Sequence, residues 1–219
     1  MLEILEFATG PQPRTTLIVL HGLGASSDDF VPVCEALRLQ PLGDVRFVLP
    51  QAPVRPVTLN GGYAMPAWFD ILGPYPAPAE DEAGLRASQA RIEALIARER
   101  ERGVASERIV LMGFSQGCAM TLMTALRYPE RLGGAIGLSG YLPLAATTAT
   151  ERSAVNADLP FFLGHGTQDT VVVPPRGRAA RDALQALGHP VAWHEYPMDH
   201  SVCLEEINDL NAWCLRHLA

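Results

Sequence analysis

Apolar residues in this chain form two alternating patterns, short unbroken runs and longer stretches with a helical period. The runs at residues 15–20, 45–49, 108–112, 134–138 and 160–164, with the more mixed 191–196, read as strands of a sheet covered on both sides. Helical spacing follows most of them. Ser27 is placed to cap a helix carrying Phe30, Val33, Cys34 and Leu37, and Leu85, Ile92, Leu95 and Ile96 mark the inner face of another. Residues 116–128, 178–187 and 201–218 continue the series. Strands alternating with helices predict an α/β architecture, a mostly parallel twisted sheet with helices on both faces and a site in the loops at the strand C-terminal ends. No break in composition marks a linker, so residues 1–219 read as a single domain. Two stretches lack a strong period, 50–79 with its seven prolines and 141–159. Neither is long enough for a separate lid domain, which predicts a minimal lid over a shallow, open site.

Between the run ending at Met112 and the helix that follows, the chain must turn sharply through Gly113-Phe114-Ser115-Gln116-Gly117. Glycines on either side suit a turn too crowded for a side chain, and such a turn lifts a serine hydroxyl clear of the sheet above a helix N-terminus. Ser115 is therefore the candidate nucleophile. Its backbone neighbours are the unpaired N–H groups that open the helix.

Charge and composition narrow the chemistry. A net charge of −7 argues against nucleic acid or an anionic membrane as partner. All 17 cationic side chains are arginine, so a Schiff-base enzyme, a Ser-Lys hydrolase and a phosphate loop with its lysine are excluded. Alternating signs in Arg98-Glu-Arg-Glu-Arg102 predict a solvated helix face. Cys34, Cys118, Cys203 and Cys214 have neither disulfide nor zinc spacing. The acidic N-terminus lacks the basic flank of a signal peptide and is too short for a membrane span, which predicts a cytoplasmic protein without stable membrane insertion.

A serine needs a base, and the base needs an orienting acid. Of six histidines, His200 alone follows a strand and a short turn just ahead of the last helix, which hangs its imidazole over the sheet edge where Ser115 emerges. His21 suits an oxyanion loop better, and His165 opens the loop after its strand. Asp169 is delivered to the same edge by the strand at 160–164. Asp158 precedes that strand, Asp182 and Asp209 fall in helices, and Asp199 adjoins His200 too closely to face it. The chain order Ser115, Asp169, His200 is that of the α/β-hydrolase fold. Backbone N–H groups of Leu23, in His21-Gly-Leu-Gly, and of Gln116 form the natural oxyanion pair. Trp68 and Phe69 read either as walls of the acyl side or as packing beneath the proline-rich loop; Leu72 with the residues up to 78, Val172 and Tyr141 are further wall candidates.

These segments together resemble the carboxylesterase, lysophospholipase and acyl-protein thioesterase family of small α/β-hydrolases. The resemblance rests on residues 20–26 (LHGLGAS), 50–53 (PQAP), 56–62 (PVTLNGG), 65–71 (MPAWFDI), 113–117 (GFSQG), 138–143 (LSGYLP), 165–174 (HGTQDTVVVP) and 196–200 (YPMDH). It implies a Ser115–Asp169–His200 triad, an oxyanion hole at Leu23 and Gln116, no metal or organic cofactor, and pairing as a homodimer. Cys118 and Asp199 depart from the family, which has glycine at both. The leading expectation is a serine carboxylesterase working through an acyl-enzyme on Ser115. The first alternative is a thioesterase or lysophospholipase acting on long acyl groups of proteins or lysolipids, and the second is a hydrolase fold that only binds.

Overall fold

The computed structural model describes residues 2–76 and 79–218. Its central sheet contains β1 (Ile4–Ala8), β2 (Thr15–Leu20), β3 (Val45–Pro50), β6 (Ile109–Phe114), β7 (Gly134–Leu138), β8 (Phe161–Gly166) and β9 (Val191–Tyr196). Their order is β1-β3-β2-β6-β7-β8-β9. All neighbours are parallel except β1, which runs antiparallel to β3 from Ile4 opposite Pro50 to Ala8 opposite Arg46. Each unbroken apolar run is a strand with two different cores. On β2, Ile18 and Leu20 face one side and Leu17 and Val19 the other; successive side chains of a strand point to opposite faces, so a strand covered on both sides has no solvent-facing position.

Helices α2 (Glu82–Glu101), α3 (Gln116–Arg127) and α5 (Pro174–Ala186) cover the first face, and α1 (Val31–Ala36) and α6 (Leu204–Leu218) cover the second. The pattern placed these helices to within a few residues. Helix α1 is preceded by a 3₁₀ turn at Ser27–Phe30, and the cap is Ser26, whose N–H donates to the Asp29 carboxylate at 2.8 Å. Helix α5 begins earlier than expected because Pro174 and Pro175 are compatible with its first turn.

Four elements escaped the pattern. β1 alternates correctly, Leu5 and Phe7 to one core and Ile4 to the other, but five residues interrupted by glutamate give a weak signal. In the proline-rich stretch, β4 (Val54–Val57) and β5 (Tyr63–Pro66) form a hairpin. Pro56 and Pro66 obscured it, since proline cannot donate to a ladder and is confined to edges. Helix α4 (Ala145–Glu151) is a short run of Ala and Thr with little apolar face.

The alternating charges near the end of α2 do not form a purely solvated face. Glu99 is wholly buried and meets Arg46 at 2.7 Å and Thr16 at 3.0 Å, with Arg98 and Arg102 each at 3.0 Å. Both arginines continue to Glu6 on β1. This cluster fastens α2 to the β1–β3–β2 flank.

Chain direction then fixes the site. From β2 the chain goes to β3 on one side, whereas from β6 it goes to β7 on the other, so the ends of the connections diverge above β2 and β6 and leave a crevice there. Residues 21–24 and Ser115 both lie at that crevice.

Candidate active site

Ser115 occupies the turn between β6 and α3 with φ 55° and ψ −115°, a strained conformation for a residue with a side chain. The chain can pass there because Gly113 and Gly117, two residues to either side, lack side chains. A Cβ on Gly117 would overlap the Leu20 carbonyl, and one on Gly113 would overlap the Gly117 carbonyl, both immovable backbone atoms. Ser115 N–H donates to the Leu138 carbonyl at 2.9 Å, which anchors the turn to β7.

His200 follows β9 in the turn ahead of α6, and its Nδ1 lies 2.7 Å from Asp169 Oδ2. The other carboxylate oxygen of Asp169 accepts the N–H groups of Val171 at 2.9 Å and Val172 at 2.8 Å. Asp169 is thus buried but fully ligated. Phe114 packs its ring 4.6 Å from the His200 imidazole, bringing the histidine beside the serine turn. Ser115 and His200 open on one cavity, although no hydrogen bond within 3.5 Å joins them among the described residues. Asp199 is exposed, and the bond from His200 goes to Asp169 instead.

Leu23 and Gln116 border the same cavity. Neither backbone N–H has an acceptor among the described residues, while the adjacent Gly24 N–H is fixed to the Pro66 carbonyl at 2.8 Å. His21 supports this loop from below. Its Nδ1 lies 2.8 Å from the Gly22 carbonyl and its Nε2 accepts the Ala52 N–H at 3.0 Å, an arrangement that needs the neutral ring. Burial holds its pKa below the ordinary histidine value in agreement.

Two expectations are corrected. Trp68 is not on the cavity wall: it is fully buried, and its indole N–H donates to the His21 carbonyl at 2.9 Å, because a large ring with one donor is most stable where both are satisfied. The site is also not a shallow depression but a walled cavity of about 520 Å³. Phe69, Leu72 and Val172 do line it, with Phe114, Ile71 and Tyr141. Of the wall expected up to residue 78, positions 77 and 78 lie outside the described residues.

Sequence reasoning missed the side chain of Gln116. Its Oε1 accepts the Trp68 N–H at 2.7 Å and its Nε2 donates to the Phe69 carbonyl at 2.8 Å, clamping the wall segment to the serine turn. A glutamine in an otherwise buried helix start was the available signal. His165 lies within β8 rather than in the loop after it; wholly buried, it holds the Asp169 turn through Val172 O at 2.7 Å and stands 3.5 Å from Asp169 Oδ2. Cys118 packs against Gly137 and Gly140, and burial pushes its thiol up to about 12, which suits packing and not redox chemistry.

Residues 6–217 match the Phospholipase/Carboxylesterase family pattern. The chain belongs to that family. As a member of the phospholipase/carboxylesterase family it is a serine hydrolase of esters or thioesters with the α/β-hydrolase fold. It is 45% identical to acyl-protein thioesterase 1 of Mycosarcoma maydis over 96% of this chain and 94% of that protein. Acyl-protein thioesterase 1 of Yarrowia lipolytica is 42% identical over 90% and 89%. Among solved structures, Zea mays acyl-protein thioesterase 2 superposes with a TM-score of 0.84 at 31% identity, covering 98% of this chain and 99% of that one. No helix among the described residues is long and apolar enough to cross a membrane.

Proposed function

We propose that this hydrolase cleaves long-chain acyl thioesters, S-acylated proteins among them, with carboxylic esters and lysolipids as further substrates. The observation that carries the reading is the apolar cavity of about 520 Å³ that runs from Ser115, a volume within the range that encloses a drug-sized ligand. The thioesterases among its relatives support the same choice over a general carboxylesterase.

In this reading Ser115 Oγ attacks the acyl carbonyl as His200 Nε2 takes its proton, a turn of the hydroxyl toward the imidazole completing the contact. Asp169 fixes the tautomer by accepting from Nδ1. The negative charge that develops on the carbonyl oxygen is met by the N–H groups of Leu23 and Gln116. Collapse expels the thiol or alcohol, protonated by His200, and water activated by the same imidazole releases the acid from Ser115. Four free cysteines suit a reducing cytoplasm.

Acyl chain length tests the substrate. Each methylene buried in the cavity contributes about 0.8 kcal/mol, so kcat/KM on matched thioesters should rise roughly fourfold per carbon until the wall is met. A flat series would return the reading to a general carboxylesterase. Labelling with a fluorophosphonate tests the nucleophile separately: label at Ser115 that vanishes in Ser115→Ala supports it, and label retained in that variant sinks it.

A further inference from the structure

The cavity wall holds one guanidinium among its described residues, that of Arg176. Arg176 lies in the first turn of the 13-residue α5, where the helix dipole adds positive field rather than offsetting it. Aromatic faces hold it in place: its guanidinium carbon sits 3.5 Å from the Tyr141 ring centre and 4.9 Å from that of Tyr75. Cation–π contact of this kind restrains the guanidinium without supplying it a counter-charge.

The carboxylates of the same wall are committed elsewhere. Asp29 accepts Ser26 N–H at 2.8 Å, Asp70 accepts Thr58 N–H at 2.7 Å, and Glu80 accepts Leu144 N–H at 2.9 Å. Asp81 accepts Gly84 N–H at 2.9 Å and stands 3.8 Å from Arg55. None of the four comes within the 4.0 Å ion-pair distance of Arg176. A restrained cation without a counter-ion, in the cavity that also holds Ser115, is a site suited to a carboxylate or phosphate oxygen pair.

We infer that Arg176 recognises a carboxylate or phosphate carried by the substrate away from the scissile bond, which makes it a specificity-determining residue for the hydrolysis proposed above, on which the inference rests. The anion belongs either to the far end of the acyl chain or to the leaving group. The four wall carboxylates weaken the general attraction for anions, so the effect is read as a ratio between matched substrates and not as tight binding.

Two pairs of substrates separate the sources: a dicarboxylic half-thioester against its ω-methyl ester, and an acyl glycerophosphate against the acyl glycerol. In Arg176→Gln the charged-to-neutral ratio of kcat/KM should fall about 10- to 100-fold in the pair that carries the anion on the correct side, the size of one charge-assisted contact. Arg176→Lys, which keeps the charge and loses the fork, should show a smaller fall and serves as the comparison should the glutamine variant not fold. An unchanged ratio in both pairs overturns the inference. So does an equal loss on charged and neutral members, which would make the arginine a clasp between two tyrosines and nothing more. A parent enzyme inactive on every ester and thioester would instead overturn the hydrolase reading.

Discussion

Glu99 and Glu206 are both wholly buried carboxylates, and they represent opposite regions of the molecule. At the α2–β1–β3 flank, burial works to raise the Glu99 carboxyl, but Arg46, Arg102 and Thr16 outweigh it and hold its pKa below the ordinary value. Behind the active rim, Glu206 on α6 lies over Gly164 with neither oxygen hydrogen-bonded among the described residues, and burial pushes its pKa up to about 8. The same contrast holds for whole regions. The flank carboxylates Glu6 and Glu99 are paired, whereas the rim collects a serine at positive φ, a second one at Ser139 whose hydroxyl is unpartnered, and free N–H groups at Leu23 and Gln116. Flank residues therefore maintain the fold, and the rim's free N–H groups at Leu23 and Gln116 border the cavity where a substrate can meet them.

The sharpest way to break this division is Ser115→Ala. Its kcat should fall by about 10⁴ to 10⁶ with little change in thermal midpoint; an unfolded variant would show the rim to be structural. Glu99→Ala should do the reverse. Leaving three guanidinium groups around a vacated buried site should reduce unfolding free energy by about 3–5 kcal/mol, measured by urea titration, while the folded fraction keeps its kcat.

Glu206→Gln sharpens the contrast through pH. A carboxyl with a raised folded pKa stabilises fully below its unfolded pKa of about 4.5 and loses that contribution as pH rises toward 8. Parent and variant should differ least below about pH 4.5, with the variant gaining about 2–4 kcal/mol by pH 8; parallel stability curves would reject the assignment. For Glu99 the sign is opposite, its contribution being present above the ordinary carboxylate pKa and lost as pH falls through the depressed one. The smallest effect belongs to Glu6→Gln. Its partly exposed pairs with Arg98 and Arg102 should be worth no more than about 1 kcal/mol, and a larger loss in the same titration would extend the buried cluster out to β1.

Legibility in the sequence follows the same division. Most core strands were readable because burial on both faces leaves few polar positions, β9 being the half-buried exception, and the serine turn because Gly113 and Gly117 stand where only hydrogen fits. Asp169 and His200 followed from position, each delivered by a strand to one edge. Glu99 was hidden by its neighbours, since alternating charges look solvated until a tertiary contact buries one of them. Trp68 was misplaced because an aromatic on a pocket wall and one beneath it have the same local sequence. The β4–β5 hairpin lacked periodicity because prolines replaced its ladder donors. Arg176 carried no signal, as only the fold brings Tyr75 and Tyr141 around it.

Gln116 has a consequence for how such a pocket can change. Its amide plane grips Trp68 and Phe69 while its own main-chain nitrogen faces the reacting carbonyl in the proposed mechanism. Remodelling the wall through this residue would therefore disturb turnover at the same time. Selection for new acyl groups has an easier route at Leu72, where shape can be altered without touching the catalytic frame.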